Sequence, residues 1–248
     1  MKNIKLTLAY DGTHLLGWQK TPFGPTVEEI LEKALSQILQ ETVSLNAASR
    51  TDAGVHAEGQ IVNFLTAKPS LNLSKLHCSL NALTPPSISI IKVEEAPLSF
   101  HSTLDSLGKK YQYQVCLSSY QLPKHRYFSW HFPYAIDLSL MQKASDLLLD
   151  THDFSAFCNE RSLLQKDPVC TLRAITLTPL EESRLSLTFL GDRFLFRMVR
   201  NLVGTLLYVG CGKLSIEEIP ALFLHKKRAL AGVTAPAQGL HLLHVFYP

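Results

Sequence analysis

The chain has 248 residues, of which 46% are hydrophobic and 18% are charged, and its mean hydropathy is +0.07. These values are typical of a globular protein with a hydrophobic core, and they exclude a disordered or low-complexity chain. No apolar run approaches the length of a membrane span, and the N-terminus enters a strand pattern at once. We therefore expect a cytoplasmic protein with no secretory signal and no membrane partner.

The five cysteines are scattered and form no CxxC pair, which favours reduced thiols over a disulfide frame. The ten histidines show no metal-ligand spacing, so we expect no metal site. Residues 1–106 carry 8 Lys and Arg against 10 Asp and Glu, whereas residues 107–248 carry 16 against 11. The second half is thus the better candidate for binding a polyanion, although so small an excess also occurs on surfaces without that role.

The first half follows the order β-α-β-β-α-β. Alternating apolar residues predict a strand over 4–10, and Thr26 with Glu29 forms a capping box that begins a helix with an apolar face up to Ile38. The remaining predictions are strands at 43–47, 60–65 and 88–93 and a helix at 74–80.

The second half repeats this order, with a strand at 111–117, a helix at 138–149, a hairpin of 172–177 and 185–189, a helix at 194–209 and a strand at 240–247. We therefore predict an α+β fold of two ferredoxin-like (βαββαβ, RRM-like) halves, with domains at 1–105 and 106–248. Residues 118–137 and 155–170 carry no clear element, and loops of that length are usually functional or flexible.

The loop at 48–57, between two predicted strands, is the most informative stretch. It brings Arg50, Asp52 and His56 close together and contains Gly54, which suits a turn or a close approach of another group. A connection built only to turn the chain does not need this combination. Taken alone, however, the loop also fits a turn in which Asp52 caps local amides and Arg50 pairs with it.

Two further stretches carry polar groups in apolar surroundings. In the predicted helix at 194–209, Arg197 and Arg200 fall on one face, and an arginine on so apolar a helix requires a partner such as Asp52 unless it reaches solvent. In the strand beginning at Lys109, Tyr111 and Tyr113 share one face. A tyrosine there either stacks on an exposed base or packs in the core.

Together these motifs resemble the bacterial tRNA pseudouridine synthase A family. The similarity runs through the whole chain, and its most specific parts are the Arg-Thr-Asp-Ala-Gly-Val-His loop at 50–56 and the Met-Val-Arg-Asn-Leu-Val-Gly stretch at 198–204. Supporting matches lie at residues 10–13, 17–19, 81–83, 100–101, 110–113, 153–157 and 239–240.

The resemblance implies an enzyme that isomerises uridine to pseudouridine at positions 38, 39 and 40 in the anticodon stem-loop of tRNA. It implies no metal and no cofactor, tRNA as the partner, and a homodimer. It also implies that the two halves form a continuous, mostly antiparallel sheet with helices on one side and a catalytic cleft between the halves.

The resemblance further assigns roles to residues of this chain. Asp52 matches the catalytic carboxylate, Tyr111 the aromatic ring that stacks on the target base, and Arg200 the arginine that pairs with the aspartate. Arg50 matches the residue that fills or guides the space of the extruded nucleotide, and Leu240 matches an apolar pocket residue. His56 and Arg197 are also candidates for substrate binding.

The basic clusters at 124–126 and 225–228 could contact phosphates or could be ordinary solvated surface.

Two other functions remain open from the residues alone. One is an RNA-binding module without chemistry. The other is a hydrolase of a small substrate with Asp52 as nucleophile, which normally needs a metal or a second carboxylate, and Glu58 is the nearest in sequence.

Overall fold

The structure is a computed structural model that describes residues 1–158 and 167–248. Two units divide the chain. The first comprises Met1–Leu107 with His241–Pro248, and the second comprises Gly108–Leu240. The predicted domains at 1–105 and 106–248 differ from this division at residues 106–107 and at His241–Pro248, which belong to the first unit.

The strands and helices of the described residues are as follows. The strands are β1 (Lys2–Tyr10), β2 (Asn46–Ala47), β3 (His56–Thr66), β4 (Ile88–Ala96), β5 (Gly108–Cys116), β6 (Trp130–His131), β7 (Asp150–Asp153), β8 (Val169–Leu180), β9 (Arg184–Gly191) and β10 (Leu240–Phe246). The helices are α1 (Val27–Leu39), α2 (Leu73–Leu83), α3 (Leu138–Asp146), α4 (Met198–Gly210) and α5 (Glu218–His225). The predicted α+β class is confirmed.

In the first unit the strands lie in the order β4-β1-β3-β10, and β1 pairs antiparallel with both of its neighbours. Because β1 covers one edge of β3, the other edge is shared by β10 and β2. The β10 strand pairs in parallel with His56 and Ala57, whereas β2 pairs with Val62 and Asn63. The start of β3, next to the Asp52 loop, is therefore held by a strand from the far end of the sequence.

The core of the first unit lies between this sheet and its helices. Alternate residues of β1 are buried, and α1 buries a helical stripe that includes Leu31 and Leu35. Thr26 caps the start of α1 as predicted, since its Oγ1 accepts a hydrogen bond from the Glu29 amide, while the Glu29 carboxylate pairs with Lys33 at 2.6 Å. Burying each large apolar side chain contributes about 2 kcal/mol to folding, which fixes α1 against the sheet.

In the second unit the strands lie in the order β5-β9-β8-β7, all antiparallel, and β6 pairs in parallel with β5. The predicted alternation in β5 is observed, because Tyr111, Tyr113 and Val115 are buried while Gln112 and Gln114 are half-buried. Three elements were not predicted, namely the short β6, β7 and α5.

The helix predicted at 194–209 begins later, at Met198. Arg197 has a φ of 61°, in the left-handed region, so it caps the helix rather than continuing it. The predicted stripe that placed Arg197 and Arg200 on one helical face is therefore not formed. Of the predicted loop at 155–170, Ser155–Phe157 is a 3-10 turn, and residues 159–166 lie outside the described residues.

The α4 helix packs closely against the segment at 228–235. A Cβ atom on Gly204 would lie 1.7 Å from the Val233 carbonyl oxygen, and one on Gly232 would lie 2.5 Å from the Gly204 oxygen. The two backbones meet here without intervening side chains. Within residues 1–158 and 167–248, none of the helices has the length and apolar character needed to cross a membrane.

This packing predicts that replacing a helical glycine by alanine changes stability in the direction opposite to the usual one. Alanine in place of glycine inside a helix normally stabilises it by about 1 kcal/mol. We expect Gly204→Ala to destabilise the protein by about 3 kcal/mol instead, because the Val233 carbonyl cannot move without displacing its segment. Urea unfolding measures the effect.

The matched control is Gly210→Ala in the same helix. Its Cβ would meet the Met141 side chain, which can change rotamer, so we expect a smaller loss. Equal effects of the two substitutions would contradict the backbone contact.

Candidate active site

The Asp52 loop connects β2 to β3. Its flanking residues Thr51 and Val55 are buried, whereas Asp52 is half-buried and Ala53 exposed. The turn closes on itself through a hydrogen bond of 3.1 Å from the Val55 amide to the Asp52 carbonyl oxygen. Gly54 has a φ of 79°, which glycine adopts without strain. The Asp52 carboxylate thus lies near the surface, while Thr51 and Val55 anchor the loop in the protein interior.

The segment after β1 holds this loop from outside. Tyr10 Oη and Thr51 Oγ1 are hydrogen-bonded at 2.8 Å. The Trp18 amide donates to the Thr51 carbonyl oxygen at 3.0 Å, and the Gly54 amide donates to the Leu15 oxygen at 3.3 Å. The residues on both sides of Asp52 are therefore fixed by bonds to one neighbouring segment.

Two glycines permit this contact. A Cβ on Gly12 would lie 2.1 Å from the Val55 carbonyl oxygen, and one on Gly17 would lie 2.6 Å from the Thr51 oxygen. Gly17 also has a φ of 87°. Its segment is in turn tied to α1, because the Gly17 and Trp18 carbonyl oxygens accept hydrogen bonds from the Val27 and Glu28 amides. Those amides have no partner within their own helix, so both sides are satisfied.

His56 is buried under the loop. The Gly12 amide donates to its Nδ1 at 3.1 Å, which requires an unprotonated Nδ1. The same Nδ1 lies 3.2 Å from Asp11 Oδ1, so a protonated ring would bond Asp11 in place of Gly12. The His56 ring also stacks on His241 of β10, with centroids 4.7 Å apart. His56 therefore holds the turn at Gly12, and through it the loop, while its contact with substrate stays a prediction.

Asp11 itself is held as a carboxylate. Its partial burial raises the pKa, but hydrogen bonds from the Thr13 hydroxyl and amide outweigh this and hold the pKa below its usual value.

The opposite end of the loop is held by Gln60. Its side-chain amide accepts a hydrogen bond from the Ser49 amide and donates one to the Ser49 carbonyl oxygen. Exposed Arg50 follows directly.

In the second unit Tyr111 lies near the start of β5, opposite Phe189 of β9. Its side chain is 6% exposed and packs edge-on against Phe194, with centroids 5.2 Å apart. The neighbouring Lys109 and Lys110 are half-buried. The ring is therefore held in a fixed orientation by aromatic packing.

The two candidate arginines lie at the start of α4. Arg200 is half-buried, and its Nε donates to the Ala235 carbonyl oxygen at 2.7 Å. Arg197 is exposed and lies over the Phe196 ring at 4.8 Å. Leu240, at the start of β10, is buried.

The basic clusters have acidic partners within the fold. Lys124 and His125 both contact Glu182, at 3.0 and 2.9 Å, and Lys226 contacts Asp153 at 2.7 Å. These pairs are largely exposed, so they contribute little stability, but they offset part of the positive charge of each cluster.

A family model described as tRNA pseudouridine synthase matches residues 7–105 and 144–248. The chain belongs to this family. Pseudouridine synthases are isomerases, because uridine and pseudouridine contain the same atoms, and the chain is an enzyme of that class. The matched ranges contain Asp52 and Arg200, and Tyr111 lies in the stretch between them.

Individual relatives match over the full length. A protein of Protochlamydia amoebophila named tRNA pseudouridine synthase A 2 is 50% identical over all of this chain and 95% of its own length. The tRNA pseudouridine synthase A of Acetivibrio thermocellus is 39% identical over the whole of both chains. A chain in the crystal structure of a Cbf5-Nop10-Gar1 complex aligns with 82% of this chain and 45% of its own, at 13% identity and a TM-score of 0.38, too low to support an argument.

For a pseudouridine synthase, the main feature that the sequence did not reveal is the support of the Asp52 loop by residues 10–18. The motifs at 10–13 and 17–19 were visible as matches, but their backbone contact with the loop depends on tertiary packing. The glycines at 12 and 17 were the available signal, since a glycine often marks a close approach of two backbones.

This support predicts that Gly17→Ala destabilises the protein by about 3 kcal/mol, because alanine adds strain at a positive φ and a collision with the loop backbone. The matched control is Gly212→Ala, which carries a similar strain at a φ of 73° but whose new Cβ would meet nothing within 4 Å. Thermal unfolding of the two variants measures the difference. A Gly17→Ala variant as stable as its control would contradict the backbone contact.

Proposed function

We propose that this enzyme converts uridine to pseudouridine in the anticodon stem-loop of tRNA, at positions 38, 39 and 40. Relatives named tRNA pseudouridine synthase A support tRNA as the substrate, since they match all of this chain. The observation that carries the proposal is the restrained loop around Asp52, because a carboxylate that acts on a covalent bond must be held in one position.

The reaction moves the base from a nitrogen to a carbon linkage. The bond between ribose C1′ and N1 breaks, the bond between C1′ and C5 forms, the C5 proton leaves to solvent and N1 gains a proton. No atom is gained or lost overall, so the reaction needs no oxidant, reductant or co-substrate. Asp52 is the proposed catalytic carboxylate, acting as nucleophile or as base.

Arg200 and Tyr111 are proposed to act on the same uridine. Arg200 supplies the cation that pairs with Asp52 and orients it, and the Tyr111 ring stacks on the target base. Leu240 contributes an apolar pocket surface. Arg197 binds substrate, and its exposed position beside Phe196 suits that role.

The target nucleotide has to leave its helical stack before it can react, at a cost of a few kcal/mol. Arg50 is proposed to fill or guide the vacated space, because it is exposed and lies two residues before Asp52. His56 contributes through the loop that it holds. The proposed assembly is a homodimer bound to tRNA.

Substitution of the carboxylate tests the proposal. We expect Asp52→Asn to fold and to bind tRNA while turnover falls by at least about a thousandfold, because the amide cannot act as base or nucleophile. Release of tritium from tRNA labelled at uracil C5 measures turnover directly, since the C5 proton leaves in the reaction. Wild-type protein is assayed with unmodified tRNA and no added cofactor.

The matched control is Glu58→Gln, which neutralises an exposed carboxylate six residues away. We expect full activity from it. A loss of turnover in Glu58→Gln would contradict Asp52 as the single catalytic carboxylate. Wild-type protein that neither binds tRNA nor releases tritium would favour the hydrolase of a small substrate. Wild-type protein that binds tRNA without releasing tritium would favour an RNA-binding module.

A second prediction separates orientation from binding. We expect Arg200→Ala to lower kcat by about a hundredfold while the Kd for tRNA changes by less than about threefold, because the arginine acts on Asp52 more than on the RNA. Steady-state kinetics with tRNA in excess measure kcat, and filter binding measures Kd. A variant that weakens binding and leaves kcat intact would make Arg200 a phosphate contact.

The ring and the hydroxyl of Tyr111 are tested in the same assays. We expect Tyr111→Phe to retain most of the turnover and Tyr111→Leu to lose it, because stacking requires the ring. If Tyr111→Phe is as inactive as Tyr111→Leu, the hydroxyl has a role in the reaction that stacking does not explain.

A further inference from the structure

Arg228 is half-buried, whereas the other three residues of the basic cluster at 225–228 are exposed. Its guanidinium group bonds to the protein. Its Nη1 donates to the Gly232 and Ala231 carbonyl oxygens at 2.7 and 3.4 Å. Its Nη2 donates to Asn201 Oδ1 at 2.9 Å and to Thr234 Oγ1 at 3.0 Å. Both terminal nitrogens are thus engaged with neutral oxygens of the protein, and burial lowers the pKa of Arg228 from its usual value.

These contacts join two segments that meet at Arg200. Asn201 follows Arg200 on α4, while Gly232 and Thr234 belong to the segment that packs against that helix. The Thr234 hydroxyl adds a bond of 2.7 Å to Asn201 Oδ1, and the Gly232 amide donates to Thr205 Oγ1 at 3.0 Å. The segment at 231–234 is therefore fastened to α4 by both side-chain and backbone groups.

The next residue, Ala235, contacts Arg200 twice. Its amide donates to the Arg200 carbonyl oxygen at 3.1 Å, and its own carbonyl oxygen accepts from Arg200 Nε at 2.7 Å. Since Nε is the inner nitrogen of the guanidinium plane, a bond to it limits rotation of the whole group. The position of Ala235 thus helps to set the direction in which the Arg200 guanidinium points.

The four acceptors around this half-buried arginine are all neutral, so burial costs hydration of the charge that these bonds only partly replace. Local stability alone is therefore a poor explanation for a charged group here. The five donors of a guanidinium in one plane can bridge several acceptors at fixed angles, which a lysine ammonium cannot do. The geometry favours a bridge that fixes direction over a free charge.

We propose that Arg228 is a positioning residue for Arg200. It fastens the segment at 231–235 to α4, and this segment then fixes the Arg200 guanidinium through Ala235. The inference rests on the proposed function, in which Arg200 orients the catalytic carboxylate, and it removes Arg228 from the candidate phosphate contacts of its cluster.

The test compares Arg228→Lys, Arg228→Ala and Thr234→Val with wild type and with Lys143→Ala. Arg228→Lys keeps the charge and loses the planar bridge. Thr234→Val removes two bonds of the network, from Arg228 Nη2 and to Asn201 Oδ1, with almost no change of shape. Lys143→Ala removes an exposed charge of α3 outside the cluster and serves as the control. The steady-state kcat, the tRNA Kd and the salt dependence of Kd are measured for each variant, well below its unfolding temperature.

We expect Arg228→Lys to lower kcat about ten- to a hundredfold and Thr234→Val to lower it by a smaller factor. The tRNA Kd and its salt slope should stay at wild-type values in both. If Arg228 contacts a phosphate, Arg228→Ala will raise the Kd and reduce the salt slope by about one, with kcat unchanged, and the proposal is wrong.

A double-mutant cycle distinguishes positioning from general loss of structure. If Arg228 acts through Arg200, then Arg228→Lys should have much less effect on kcat in an Arg200→Lys background than in wild type. Equal effects in the two backgrounds would overturn the proposal. Failure of the wild-type enzyme to release tritium would instead reject the proposed function, so the two failures are distinguishable.

Discussion

The contact of two backbones without intervening side chains is the constraint on which the Asp52 loop depends. Gly12 and Gly17 allow residues 10–18 to reach the loop closely enough for amide and carbonyl groups on both sides of Asp52 to pair. Backbone hydrogen bonds of this kind are directional, and they fix the backbone from which the carboxylate projects. Thr51 and Val55 are buried while Asp52 is half-buried, so one turn combines a fixed backbone with an accessible carboxylate.

The second unit fixes Arg200 in a similar way. There Gly204 and Gly232 bring α4 and the segment at 228–235 together, and a polar network around Asn201 ties them. Asn201 Nδ2 also donates to the Phe157 oxygen, which connects the network to the Asp153–Phe157 stretch. In both units, therefore, a charged side chain with a proposed role projects from backbone that is fixed by glycine contacts and by a buried polar side chain. That side chain is His56 in the first unit and Asn201 in the second.

Local periodicity was enough to predict the main strands and helices, because β1, α1 and β5 each bury one regular face. It failed where tertiary contacts decide the conformation. Arg197 continued a helical pattern in the sequence, yet it adopts a positive φ and ends that pattern, and the 4-residue β7 is too short to leave a periodic signal. The candidate residues themselves came from motifs, whereas the roles of Gly12, Gly17 and Arg228 depend on neighbours more than 20 residues away along the chain and required coordinates.

The pairing of β10 with the start of β3 has a consequence for biosynthesis. His241 and Leu242 lie beside His56 and Ala57, directly after the Asp52 loop, and the Phe246 oxygen accepts from the Leu107 amide. The ribosome makes these partners nearly 140 residues after the last residue of the first unit's own stretch, Leu107. A nascent chain therefore carries Asp52 for most of its translation without the strand that completes its surroundings, and transcripts truncated before residue 241 would encode a first unit with an open sheet edge, a form exposed to misassociation and proteolysis.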